Sequence, residues 1–420
     1  MLAGPHCRHL VFTAMTSLPR IPPYLQMLLA LAIGGVLGYA DPQLAVRMKP
    51  LGDAFVFVIK LSVGPIVFCT VASGIAGMRG LKKLGGMTMK TVVCFELMSA
   101  AALLTGLLAA LVLRPGAGFG IDPASLGGLR IPPQMHAYDG TRIFSSAAAA
   151  FGGANILHLL LLAIVSGIAL LFAGERGKPV SDAIARVAAL FYRLVRLVSR
   201  FAPLAAFGAI AFTIGRYGML SIGPLLKLLG TLYLASAAFI VVVLGATARA
   251  AGVSLWRLIG YVKDELLIVI GTSASMSVLP QLIAKMEGAG CSRAAVGLAL
   301  STGYSFNLNG TKVYLMAAML FLLQAMNIEL SALQLATALV VATLVSKSAS
   351  GVAGSAFVTL AAILATMPMV PAGSIALIIG IERLLKCRTL TNIIGNVVAC
   401  VAIAAWSGEL DRERFKRAVG

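Results

Sequence analysis

The chain has 420 residues, 59% of them hydrophobic and only 12% charged, with a mean hydropathy of +0.96. A soluble domain of that length exposes far more polar surface, so the composition excludes one and identifies an integral membrane protein. The formal charge of +19 is no nucleic-acid footprint, because Lys and Arg collect at the ends of apolar runs instead of along one face.

Residues 1–22 carry no convincing small-residue cleavage site and read as a cytoplasmic leader. Apolar runs follow near 24–40, 54–77, 87–113, 143–173, 202–214 and 228–248, and again through 292–406. Most are near the roughly 20 residues that cross a bilayer, and none alternates as a strand does, so the fold class is an all-α polytopic membrane protein. Arg79, Lys82, Lys83 and Lys90 crowd one loop, Arg176 to Arg200 another, and Arg412 to Arg417 the tail. The positive-inside rule makes these cytoplasmic, with both termini, and places the loop after residue 113 outside. Cys7, Cys69, Cys94, Cys291, Cys387 and Cys400 form no C-x-x-C pair, so neither a disulfide nor a metal site is expected.

Within the first half, Pro65 and Pro203 lie in apolar runs and predict kinks. The Gly-rich segment 152–156 predicts an interrupted helix. Glu96 is the only acid inside a span there; it reads either as a helix-end residue paired with Lys90 or a neighbour, or as a cation or proton ligand.

After Trp256 the apolar stretches shorten and are broken by small polar residues. The run 271–277 (GTSASMS) separates two arms too short to span alone, which predicts a re-entrant hairpin with a serine-rich tip. Nonhelical backbone at that depth is tolerated only where it is buried in protein or lines a cavity. The run 303–311 (GYSFNLNGT) interrupts a long helix; unwinding at Asn307, Asn309 and Gly310 would free carbonyls that, with the amides, suit a desolvated hard cation such as sodium. The run 346–355 repeats the hairpin theme. The duplicated unit, about 60 residues long, with its broken helices points to a secondary transporter whose site lies at the repeat interface.

The last apolar segment reads as a spanning helix from about Gly373 to Trp406 with Arg388 inside it. A guanidinium at that depth costs about 2.5 to 3.5 kcal/mol on insertion scales unless it faces a cavity or bundle interior, so it calls for an anionic partner. Arg388, Asn392 and Asn396 follow one another at four-residue intervals and share a helical face, with Thr389 adjacent. His6, His9, His136 and His158 are scattered, and no catalytic grouping or phosphate loop occurs, which argues against an enzyme.

From about Tyr24 to Asp411 the chain resembles the dicarboxylate/amino acid:cation symporter family, most closely its bacterial aerobic C4-dicarboxylate carriers. The resemblance is carried by MKPLGDAFVFVIK, PIVFCTVASGIAGM, RPGAGFGIDPASL, FAPLAAFGAIAFTIGRYG, ELLIVIGTSASMSVLP, TGYSFNLNGT, GVAGSAFVTLAA and RTLTNIIGN, in that order. It implies a homotrimer in a bacterial inner membrane, each protomer with eight transmembrane helices and two re-entrant helical hairpins. Residues 23–254 would form mainly the scaffold, with part of the third and the sixth helix joining a transport domain at 255–408, and 409–420 a cytoplasmic tail. The transport domain would slide across the scaffold as an elevator. By resemblance, Ser273, Ser275, Gly351, Val352 and Gly354 would close over the substrate, and Thr311, Arg388, Thr389 and Asn392 would line it. Gly303, Asn307, Asn392 and Asn396 would bind cations, with Asn309 and Ser99 near a further site. Amino-acid carriers hold the substrate ammonium with an aspartate three residues before the arginine. Here that position is Leu385, which favours a dicarboxylate such as succinate, fumarate or malate over glutamate or aspartate.

Several positions depart from the family pattern. Asn309 replaces an acid, Met276 stands where an acid is common, Ala274, Ser301 and Ala356 replace a serine, a proline and a glycine, and one residue is missing between Glu382 and Arg388. In a regular helix that deletion would turn Glu382 by about 100° from Arg388. Lys347 and Arg388 supply two positive charges to a divalent substrate, while the amides supply no negative charge to a cation. The expectation is therefore weak sodium dependence, with protons as an alternative coupling ion, Glu382 as their carrier, and no cofactor. The alternatives are a coupling-impaired paralogue or a membrane sensor of dicarboxylates.

Overall fold

The computed structural model describes residues 23–77, 86–122, 156–272, 275–348, 355–367, 369–382 and 384–420. Among these every regular element is helical, apart from one isolated bridge between Cys291 and Leu410. The leader 1–22, the glycines of segment 152–156 and the centres of both hairpin tips lie outside the described residues.

Helices α1 (Pro23–Ala40), α2 (Lys49–Gly77), α3 (Gly86–Leu113), α4 (Ile156–Phe172), α5 (Lys178–Val198) and α6 (Ala202–Tyr217) make up the first half. Lipid tails are as apolar as leucine, so small residues that let backbones approach must hold such helices together. Gly34 and Gly38 do this between α1 and α6: a Cβ on Gly34 would lie 2.6 Å from the Phe207 carbonyl oxygen, and one on Gly38 2.7 Å from Ile214 Cβ. α2 packs on α4, α5 and α6, and Pro65 lies inside it as expected. Pro203 does not sit mid-helix. A 3-10 turn at Ser199–Phe201 ends α5, and Pro203 occupies the first turn of α6, where its missing N–H deprives no carbonyl of a donor.

Helix α7 runs Ile222–Ala238 and continues through a π-helical turn, Phe239–Leu244, to Ala250. The segment read as the first hairpin contains α8 (Lys263–Thr272), a 3-10 turn at Ser275–Val278 and α9 (Leu279–Gly288). Lys285 near the end of α9 donates to both Glu265 oxygens at the start of α8, at 3.1 and 2.9 Å, so the chain does double back. Then come α10 (Arg293–Phe306) and α11 (Asn309–Ala325), followed by the second pair of arms, α12 (Ala332–Val345) and α13 (Ser355–Leu364), which pack together. The expected continuous helix from Gly373 to Trp406 is instead two: α14 (Ala376–Glu382) and α15 (Lys386–Ser407). The tail is a further helix, α16 (Arg412–Val419), clipped to the base of the first hairpin by Asp411 N–H to the Gly290 carbonyl at 2.9 Å and by buried Phe415.

Among the described residues four helices are long and apolar enough to cross a membrane: Gly86–Leu113, Ile222–Ala250, Arg293–Ala325 and Lys386–Ser407. Within them 94% of the Arg293–Ala325 window and 78% of the Lys386–Ser407 window is buried, against 44% and 39% in the other two, so the polar-bearing helices form the interior. Five shorter apolar helices accompany them. Two apolar cores result. One gathers the later part of α11 with α13 and α14, the other α8 to α10 with the later part of α15. They meet where α11 and α15 begin, and there the buried polar residues cluster.

Candidate functional site

The break between α14 and α15 decides the environment of Arg388. Leu385 leaves helical geometry (φ −78°, ψ 59°) and α15 restarts at Lys386, so the helix is not regular between Glu382 and Arg388 and the expected angular offset does not apply. Arg388 Nη2 donates to Glu382 Oε1 at 2.8 Å, with only 14% and 6% of the two side chains exposed. The guanidinium carbon lies 5.5 Å from the Tyr314 ring centroid, and Nη1 is buried with no hydrogen-bond partner. The arginine thus already faces one carboxylate, from its own chain, and keeps one arm of its fork in reserve.

Thr311 and Asn392 are paired across the starts of α11 and α15. Thr311 N–H donates to Asn392 Oδ1 at 3.2 Å, and Asn392 Nδ2 donates to Thr311 Oγ1 at 3.3 Å. Gly310 makes this possible: a Cβ there would stand 2.2 Å from the Arg388 carbonyl oxygen, so only glycine lets α11 start against the backbone of α15. Thr389 is buried beside Arg388, and Ser275 is buried in the turn of the first hairpin. Ser273, Gly351, Val352 and Gly354 lie outside the described residues.

The predicted unwinding between α10 and α11 is present, with Asn307 (φ −117°, ψ 45°) and Leu308 (φ −84°, ψ 69°) both outside helical geometry. Asn307, Asn309 and Asn396 are each 0% exposed. Asn307 Nδ2 donates to Asn396 Oδ1 at 3.1 Å, Gly303 abuts the Asn396 amide, and Gly395 abuts that of Asn309. Asn307 Oδ1 and both polar atoms of Asn309 are buried without partners. Leaving the two oxygen acceptors, Asn307 Oδ1 and Asn309 Oδ1, unmet costs about 1–3 kcal/mol each, and a desolvated monovalent cation is one species that would satisfy them; Asn309 Nδ2 and Asn396 Nδ2 are donors that it would not. The side-chain oxygens free to meet sodium are those of Asn307 and Asn309, and the cage has no carboxylate among Asn307, Asn309 and Asn396.

Ser99 behaves differently. Its hydroxyl accepts from Lys312 Nζ, which also donates to the Phe306 carbonyl at 2.8 Å. Sequence reasoning missed Lys312, although a lysine in the otherwise apolar run VYLMAAMLFLL that follows NLNGT was signal enough. Glu96 pairs neither with Lys90 nor with a helix neighbour but with Lys347, just past α12; Lys90 instead donates to the Trp406 carbonyl at 2.8 Å. Both positive charges expected to greet a divalent substrate, Lys347 and Arg388, are thus already matched by internal acids.

This arrangement can hold a carboxylate on a guanidinium beside a hydroxyl and an amide, next to a neutral oxygen-rich cage. The profile of the Sodium:dicarboxylate symporter family matches residues 24–406. Curated proteins named C4-dicarboxylate transport protein, from Burkholderia pseudomallei and from Burkholderia mallei, are each 49% identical over 410 residues, covering 94% of this chain and 95% of their own length. With an intramembrane arginine, paired broken helices and a match along nearly its whole length, the chain belongs to the sodium:dicarboxylate symporter family.

Proposed function

We propose that this chain is a secondary carrier that takes up C4-dicarboxylates such as succinate, fumarate and malate. The observation that carries the reading is Arg388, only 14% of its side chain exposed and hydrogen-bonded to the Glu382 carboxylate, at the start of the helix that also holds Asn392, paired with Thr311, and Asn396, paired with Asn307. One substrate carboxylate takes the guanidinium from Glu382, and Glu382 accepts a proton as it lets go, so that binding and proton uptake are coupled. Sodium at the amide cage is the second coupling ion. Leu385 is buried in apolar surroundings where an amino-acid carrier would need an acid, which supports a dicarboxylate over glutamate or aspartate.

The reading extends to the whole assembly. Eight spanning helices and two re-entrant hairpins form each protomer of a homotrimer in the bacterial inner membrane, with both termini cytoplasmic. The unit at 255–408 moves as an elevator against a scaffold drawn mainly from 23–254. A dicarboxylate sensor or coupling-impaired paralogue is the competing reading, favoured by the missing acid at Asn309.

Counterflow of labelled succinate in proteoliposomes separates the two, since a sensor binds without exchanging. The carrier reading expects exchange by the native protein, and loss of both binding and exchange in Arg388→Ala at unchanged oligomeric state. Succinate binding retained by Arg388→Ala would remove the assignment of that residue.

A further inference from the structure

Lys312 has no role in the reading above, yet it is 1% exposed and sits one residue beyond Thr311. A buried ammonium is costly unless its surroundings replace water. What replaces it here is a set of neutral oxygens. Nζ donates to Ser99 Oγ of α3, itself 1% exposed, and to the main-chain carbonyl of Phe306 at 2.8 Å. That carbonyl is available because α10 stops there: in an uninterrupted helix it would accept from the N–H four residues on. The unwound turn has therefore spent a freed carbonyl on a lysine. No carboxylate makes an ion pair with Lys312 among the described residues, and the acid Glu96 is paired with Lys347.

Hydroxyl and carbonyl oxygens converging on a single positive charge are the donor set that a hard monovalent cation selects. The ammonium meets that set at the junction of α3, α10 and α11, on the unwound turn that carries Asn307 and Asn309. We infer that Lys312 is a tethered cation: its ammonium permanently fills an oxygen site that a free sodium ion would otherwise occupy, so that Ser99 is no sodium ligand in this chain. Sodium and the ammonium carry the same charge to the same oxygens and cannot both be there. The amide cage is unaffected by this exclusion. If the carrier reading holds, on which this consequence rests, the chain moves with one fixed charge in place of one coupling ion and its cycle needs one sodium fewer.

The test does not use transport. Lys312→Met and Lys312→Gln are purified beside the native protein, and the midpoint of thermal unfolding is followed against sodium chloride, with choline chloride holding ionic strength constant and no dicarboxylate present. Mass action ties the slope of stability against the logarithm of sodium to the number of ions bound on folding. Both variants are expected to take up about one sodium ion more than the native protein, read as a steeper rise in Tm that choline does not reproduce. Equal sodium slopes in native protein and folded variants would overturn the inference. Should neither variant fold, labelling of Lys312 in the native protein by an amine-reactive reagent, read by peptide mass spectrometry, decides: reactivity indifferent to sodium is expected, whereas an increase with sodium means the ion displaces the ammonium and the idea fails. Succinate counterflow by the native protein is scored separately, so a protein that does not exchange succinate but whose variants gain a sodium site loses the carrier reading and keeps this one.

Discussion

Replacing Glu382 by glutamine tests whether the internal carboxylate competes with substrate. In the structure Arg388 Nη2 and Glu382 Oε1 are 2.8 Å apart, with 14% and 6% of the side chains exposed, and Nη1 is buried without a hydrogen-bond partner. A charge-assisted hydrogen bond contributes about 1.5–3 kcal/mol; an amide in the same place keeps the geometry and forfeits the charge, so the substrate-free protein should lose about 1–2 kcal/mol of stability. The same amount no longer opposes a substrate carboxylate. At about 1.4 kcal/mol per decade, succinate should bind roughly 5- to 30-fold more tightly to Glu382→Gln. Calorimetric titration with succinate at fixed sodium and pH reads the affinity, and unfolding without succinate reads the stability loss. If Glu382→Gln binds more weakly than the native protein, the competition argument is wrong.

Three other substitutions probe the surroundings. Asn396→Asp puts a carboxylate against Asn307, 3.1 Å away in the native pair; a unit charge at about 4 Å is worth about 4 kcal/mol at an effective dielectric of 20, and after desolvating the acid the half-saturating sodium concentration for succinate uptake should drop about tenfold. Gly310→Ala drives a Cβ to 2.2 Å from the Arg388 carbonyl, so overpacking should cost about 1–3 kcal/mol, seen as a lower Tm together with weaker succinate binding. Lys285→Met strands Glu265, only 7% exposed, at the base of the first hairpin; amide exchange across Lys263–Thr272 should quicken and stability decline by about 1.5–3 kcal/mol.

What could be read from sequence follows from how local each feature's cause is. The unwound turn was legible because Asn307, Asn309 and Gly310 are poor helix formers in an apolar run, and Arg388 because a guanidinium at that depth has few tolerable surroundings. The partners of the charges were not, since they depend on contacts distant in the chain: Ser99 and Lys312 are 213 residues apart, Glu96 and Lys347 251. The break before Lys386 escaped for another reason. Leu384 and Leu385 are ordinary helix formers, and nothing in GIERLLKC signals an interruption; the irregular turn is held from outside by Tyr233, whose hydroxyl donates to the Leu384 carbonyl at 2.8 Å. Pro203 misled because an apolar run does not show where its helix starts; the 3-10 turn at Ser199–Phe201 puts Pro203 in the first turn of α6.

The glycine contacts have a mechanical side. A Cβ on Gly106 would meet the Val313 carbonyl at 2.4 Å, one on Gly310 the Arg388 carbonyl at 2.2 Å and one on Gly395 the Asn309 amide nitrogen at 2.6 Å, so α3, α11 and α15 touch almost backbone to backbone around the polar cluster. Helices locked at that range have no slack for sliding past one another. Any conformational cycle must carry the guanidinium, the amides and the ammonium as a single slug, and hinges belong at its edges, in the turns beside Leu385 and the hairpin arms. The spacing between bound anion and bound ion is then set by covalent and steric constraint, the same at the start of a stroke as at its end.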